Sequence, residues 1–264
     1  MQDAVLTANK SVGTSVSPSI DKSVASKAAK SYSPNEVFFC PEESQFYSQC
    51  LEKLVLNYCT PMDSIVEFGA GDGSPVIHCL LKTHFEGSVH GYELNASSCE
   101  VARSRIEQYR LQHKYVIHNQ CFFKHSPSNA NYLIANPPYL PAPDDKLYMP
   151  SLHGGNDGAT ITMRLLSVGY ENALMMISAY SNPIDTIEYA YAQGYQVIDF
   201  MISPLQFGYY SSEPKVRNTI ETLRQNRKAF YSQNIYFLAG VLFRKQDPSY
   251  PDLSEELLKV MTVL

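Results

Sequence analysis

No apolar run in this 264-residue chain is long enough to cross a bilayer. The longest runs, 173–180 and 235–243, fall far short of the roughly 20 residues a membrane helix needs, so both are read as buried strands. Cysteine occurs without pattern: Cys40, Cys50, Cys59, Cys79, Cys99 and Cys121 form no CxxC pair and no Cys/His ligand spacing. That argues against a zinc site and against a disulfide framework, and scattered thiols suit a reducing, cytoplasmic compartment. A basic excess is also missing. The 21 Lys and Arg against 26 Asp and Glu leave a net charge of −5, which speaks against a broad nucleic-acid footprint and leaves room only for a local basic patch.

Residues 1–34 lack both sustained hydrophobic periodicity and the apolar core of a signal peptide. They are rich in Ser, Ala, Val and Lys and are expected to form a disordered polar tail. The segment is poor in acids, as transit peptides are, but it has no arginine. No internal repeat is present anywhere in the chain.

From Glu36 the sequence turns globular, within a total of 44% hydrophobic and 18% charged residues, and 35–264 is expected to be one domain. Cys40-Pro41-Glu42-Glu43-Ser44 leads into a helix expected over 45–58, with Phe46, Leu51, Leu54 and Val55 at helical spacing. The pattern then alternates. Strands are expected near 64–69, 88–93, 115–119, 131–136, 174–179, 196–202 and 234–243. Helices are expected near 74–84, 96–112, 159–172, 183–193 and 213–229. Strands alternating with helices predict a Rossmann-like, doubly wound α/β fold with a seven-stranded, mostly parallel sheet.

Two strand-to-loop junctions carry the chemistry. In the first, Glu67-x-Gly69-x-Gly71-x-Gly73 follows a strand and precedes a helix. Glycine there permits a sharp turn and close approach of a ligand, which in such sheets sits outside the carboxyl ends of the strands. The spacing is not the GxGxxG of a dinucleotide site, and the GK[ST] of a P-loop is absent. Glu93 ends the next strand about twenty residues on, where an acid can accept bonds from two ribose hydroxyls. In the second junction, Tyr132-Leu133-Ile134-Ala135 runs into Asn136-Pro137-Pro138-Tyr139.

Together these junctions resemble the class I S-adenosylmethionine-dependent methyltransferases of the NPPY type, which include the HemK-type protein-glutamine methyltransferases and the adenine or guanine amino methyltransferases. The resemblance covers roughly 35–245. It implies S-adenosyl-L-methionine as cofactor, held by Glu67, Gly69, Gly71, Gly73 and Glu93. It places the segment before Gln45 as a closure over the site, and the 235–243 strand as an inserted antiparallel one. At the third strand end the family usually has an acid against the adenine ring, whereas this chain has Asn119 and Gln120, whose amides are expected to take that place.

The catalytic residues implied are Asn136, Pro137 and Tyr139. A planar nitrogen is a poor nucleophile because its lone pair is delocalised, and two acceptors aimed at its N–H bonds stabilise the positive charge that develops. The Asn136 side-chain oxygen and the Pro137 carbonyl form such a pair, the prolines stiffen the loop, and Tyr139 offers an aromatic face. Downstream, His153-Gly154-Gly155-Asn156-Asp157-Gly158 resembles the GGxDG segment of HemK-type enzymes, with Asp157 expected to cap the next helix.

The acceptor stays open at this level. A protein glutamine fits the acidic balance and the GGxDG-like segment, although the helical N-terminal docking domain of bacterial release-factor methyltransferases is lacking; relatives without that domain rely on a partner subunit. A nucleobase amino group draws on Lys215, Arg217, Arg224, Arg227 and Lys228 beside Phe207, Tyr209 and Tyr210. A small-molecule amine or amide, and a non-catalytic scaffold of the same fold, complete the alternatives.

Overall fold

The computed structural model describes Phe38, residues 40–127 and residues 129–264. The tail expected over 1–34 lies outside them. Strands β1 (Ser64–Phe68), β2 (Ser88–Tyr92), β3 (Tyr115–His118), β4 (Tyr132–Ala135) and β5 (Asn172–Ser178) run parallel. β7 (Ile235–Lys245) inserts antiparallel between β5 and β6 (Tyr195–Gln206). The seven strands lie in the order β3-β2-β1-β4-β5-β7-β6. This is the expected Rossmann-like sheet, including its antiparallel late strand.

Every residue of β5 is buried, because both faces of the sheet are covered; a continuous apolar run is what such a strand requires. On one face, Ile65, Ile134, Leu174 and Met176 pack against α1 (Pro41–Leu51), α2 (Ser74–Lys82) and α3 (Ala96–Gln108). On the other, Val66, Leu133, Met175 and Val241 pack with Leu165 and Leu166 of α5 (Thr160–Leu166), Ile187 of α6 (Pro183–Ala192), and Leu257 and Met261 of α8 (Ser254–Met261). A short α4 (Phe122–His125) joins β3 to β4, and α7 (Pro214–Gln225) joins β6 to β7.

Register positions the site. Phe68 pairs with Tyr92 and with Ala135, and Tyr92 pairs with His118. The residues that follow these four, Gly69, Glu93, Asn136 and Asn119, therefore leave the sheet along one edge.

Helix ends depart from expectation for local reasons. Helix α1 begins at Pro41 rather than at 45, since proline at the first helical position is already set for the turn, and it ends in a π-helical turn, Glu52–Leu56. Helix α5 stops at Leu166 because Gly169 adopts φ +89° ahead of β5. Helices α3 and α7 stop before the left-handed Arg110 and Arg227, both at φ 57°. The C-terminal α8 is absent from the helices expected from the sequence, which end at 229.

Candidate active site

The first loop leaves β1 with Gly69, Gly71 and Gly73 at φ 69°, 54° and 73°. A Cβ at Gly69 or Gly71 would meet nothing within 4 Å, whereas one at Gly73 would press on Ala102 and Tyr115 at 3.3 Å. All three glycines thus serve the left-handed backbone; the first two also keep open space beside it, and the third also lets Ala102 and Tyr115 pack close. Asp72 fastens the loop from outside: it accepts from Ser74 N at 3.0 Å and pairs with Arg105 of α3.

Glu93 braces the loop from β2. Its Oε2 accepts from Gly71 N at 2.9 Å and its Oε1 from Asn95 N at 2.7 Å. An ionised carboxylate has about four lone-pair sites, so roughly two remain for a ligand. Asn119 donates its amide to the Glu93 and Leu94 carbonyls at 2.9 and 3.1 Å, which leaves its side-chain oxygen as the group for a ligand. Gln120 is exposed beside it.

Glu67 lies beneath the loop, 2% exposed. Its carboxyl accepts from Tyr47 of α1 at 3.4 Å and from Tyr115 of β3 in a short bond. Burial pushes its pKa up to about 7, against the pull of the two tyrosines. The same burial and the facing carboxylate raise both phenols well above their ordinary value.

At the second junction, Asn136 Oδ1 and the Tyr139 hydroxyl are buried without a hydrogen-bond partner. Among the described residues no backbone N–H donates to the Pro137 carbonyl. The Tyr139 ring, expected to offer a stacking face, is buried edge-on against Tyr180 with centroids 5.9 Å apart. The loop is held from behind by the glycine-rich segment. Leu140 N donates to Leu152 O and Gly154 N to Leu140 O at 3.1 and 2.9 Å, His153 Nε2 to Ala142 O at 2.9 Å, and Ser181 Oγ to Tyr139 O at 2.7 Å. A Cβ at Gly154 would stand 2.6 Å from Tyr139 Cα, and one at Gly158 would stand 2.8 Å from Ser181 Cβ. Asp157 accepts from Ala159 N at 3.1 Å and from Asn182 Nδ2 at 2.7 Å. It forms a turn before α5, whose N-cap is Ala159 with no side-chain cap.

The cations suspected of meeting nucleic acid are largely engaged within the fold. Lys215 pairs with Asp144 at 2.5 Å and Lys228 with Asp185 at 2.6 Å. Arg217 lies 3.9 Å over Phe207 and 4.6 Å over Tyr231, and Arg224 lies 4.4 Å over Tyr231. Arg227 is exposed. Sequence reasoning missed Tyr47, Tyr115 and Glu43, whose carboxyl faces Tyr139, Cys40, Asn136 and Tyr236. Among the described residues no group of three His, Cys, Asp or Glu is placed to hold a metal, and no helix is long and apolar enough to cross a membrane.

No family model and no curated protein matches the chain. Solved structures do. A candidate RNA methyltransferase of Pyrococcus horikoshii superposes with a TM-score of 0.54 at 12% identity, over 83% of this chain and 92% of that one. An S-adenosylmethionine-dependent methyltransferase of Geobacter sulfurreducens, in complex with S-adenosyl-L-homocysteine, gives 0.48 at 11% identity over 83% and 95%. The first likeness is one of fold: the chain has the Rossmann-like architecture of a methyltransferase.

Proposed function

We propose that the protein is an S-adenosylmethionine-dependent N-methyltransferase of the HemK-like NPPY type, acting on a planar nitrogen, with the primary amide of a protein glutamine as the favoured acceptor. The observation that carries this is the unpartnered Asn136 Oδ1, buried at the carboxyl end of β4. A buried acceptor without a donor costs about 1–3 kcal/mol, and an N–H of the acceptor nitrogen relieves it. The cofactor fits the residues present. Gly69 and Gly71 leave the loop face clear of Cβ atoms, Glu93 retains acceptor capacity for two hydroxyls, and the Asn119 oxygen suits an adenine amino group.

Bound there, the cofactor supplies an electrophilic methyl group on a sulfonium. Asn136 Oδ1 and the Pro137 carbonyl take the two N–H bonds of the acceptor, turn its lone pair toward the methyl, and stabilise the charge that develops. Glu67, Gly69, Gly71, Gly73, Glu93, Asn119 and Gln120 form the cofactor side; Asn136, Pro137 and Tyr139 form the acceptor side. A nucleobase amino group is the second reading. It is favoured by the exposed Tyr148 and Tyr209, whose rings meet at 5.3 Å and offer a stacking surface, and disfavoured by the engagement of the neighbouring cations. A partner subunit that presents the acceptor is compatible with either.

The test is transfer of radiolabelled methyl into an extract of cells lacking the protein, divided among protease-sensitive, nuclease-sensitive and small-molecule fractions. Protease-sensitive label is expected. Asn136→Ala should lower kcat roughly a hundredfold or more, with cofactor affinity within twofold by calorimetry; loss of both together would make Asn136 structural.

A further inference from the structure

Glu43 is the third residue of α1, after the N-cap Cys40. Its half-buried side chain turns inward toward the acceptor loop. The groups facing it come from three elements and from its own helix. Tyr236 of β7 donates to Oε1 at 3.5 Å, Asn136 and Tyr139 follow β4, and Cys40 precedes α1. Tyr180, after β5, packs 4.7 Å from Tyr236 and 5.9 Å from Tyr139. The Tyr139 hydroxyl faces this carboxyl and is itself buried without a hydrogen-bond partner. Every polar group around Glu43 can offer a hydrogen. A carboxylate, which only accepts, is complementary to that ring of donors, and negative charge is favoured in the first turn of a helix.

The two ends of an Asn side chain are nearly the same shape but opposite in hydrogen bonding. A carboxylate beside it can engage only the NH2 end. The opposite end, Oδ1, is the buried atom that has no partner. We infer that Glu43 is a positioning residue of the reaction: its carboxylate holds the NH2 end of Asn136 and thereby commits Oδ1 to the acceptor nitrogen. This rests on the function proposed above. Without Glu43 the amide is free to flip, and the flipped form sets NH2 against the acceptor N–H, donor against donor. Burial raises the Glu43 pKa above the ordinary carboxylate range, opposed by Tyr139, Cys40, Asn136 and Tyr236. Protonation of Glu43 places a hydrogen where the surrounding donors need an acceptor, so transfer should fail as pH falls through the Glu43 pKa.

The test uses the whole protein, with Glu43→Gln as the nearly isosteric variant and Glu43→Ala as the deletion, both checked for folding by thermal melting. In nitrogen-15 spectra the Asn136 side-chain NH2 pair, assigned by its loss in Asn136→Ala, is expected to titrate with Glu43 in the wild type and to be pH-independent in Glu43→Gln. Methyl-transfer kcat is expected to fall tenfold or more in Glu43→Ala, with the affinity for S-adenosylmethionine within twofold. In Glu43→Gln the acid limb of the kcat profile should disappear. An NH2 pair that titrates alike in wild type and Glu43→Gln, or a Glu43→Ala enzyme with wild-type kcat, overturns the inference. The spectra need neither cofactor nor acceptor. Absence of wild-type transfer would therefore count against the proposed function, while the spectra still judge the Glu43–Asn136 contact.

Discussion

Replacing Glu67 by Gln should make the protein more stable at pH 8 and flatten its stability between pH 5 and 8. The carboxyl is 2% exposed, and burial raises its pKa from 4.5 to about 7. Between those two values the folded protein keeps a proton that the unfolded chain has released. The associated stability is fully present below 4.5 and is lost as pH rises through 7. A shift of that size corresponds to on the order of 3 kcal/mol, at about 1.4 kcal/mol per unit, most of it falling between pH 5 and 8. Glutamine carries no such proton and keeps an acceptor for one of the two tyrosines. Glu43, also raised, adds slope of the same sign, whereas His118, lowered by burial and by His90, adds slope of the opposite sign. The informative quantity is therefore the difference between wild type and Glu67→Gln. Urea unfolding at half-unit pH intervals measures it. Parallel curves for the two proteins would show that Glu67 ionises normally and would refute the account of its burial.

Two further substitutions separate the halves of the site. Glu93→Ala removes the acceptor for Gly71 N and Asn95 N together with the lone pairs left for a ligand. At roughly 1.5–3 kcal/mol for a hydrogen bond to a charged group, affinity for S-adenosylmethionine should drop at least tenfold in a calorimetric titration, and unchanged affinity would remove Glu93 from the cofactor side. Gly154→Ala drives a Cβ to 2.6 Å from Tyr139 Cα and 2.8 Å from Pro138 O. It should destabilise by about 1–3 kcal/mol and lower kcat with little change in cofactor affinity; wild-type kcat with full stability would show that the glycine-rich segment does not hold the acceptor loop in shape.

What could be read from the sequence was what is local. A glycine loop between a strand and a helix, and a proline-stiffened turn after a buried strand, each follow from neighbours in the chain, and the sheet register then carries Gly69, Glu93, Asn119 and Asn136 to one edge. The alternation of apolar runs gave the strands within a few residues, including the late antiparallel one. Helix ends were harder, since they turn on single left-handed residues such as Arg110 and Arg227, which carry no glycine signal. The environment of Glu67 was out of reach, because its two phenols come from residues 20 and 48 positions away. The engagement of the basic cluster was hidden for a related reason: its positions are visible in sequence, but the partners Asp144, Asp185 and Tyr231 are not.

Helix α1 ties these missed contacts together. Glu43 and Tyr47 are four residues apart, so one face of a helix presents both side chains, about one turn from each other. Glu43 reaches the loop that holds Asn136 and Tyr139, while Tyr47 reaches Glu67 beneath the glycine loop. One turn further, Cys50 lies on β7 at Gly240, where any Cβ would come within 2.8 Å of the Cys50 Cβ. Glycine in the middle of a strand is otherwise unfavourable; here it lets the helix settle close enough for both polar side chains to reach their loops. The spacing between Glu43 and Tyr47 and the missing side chain at Gly240 are thus parts of one arrangement, in which a single helix contacts both Glu67 beneath the glycine loop and the residues of the Asn136 loop.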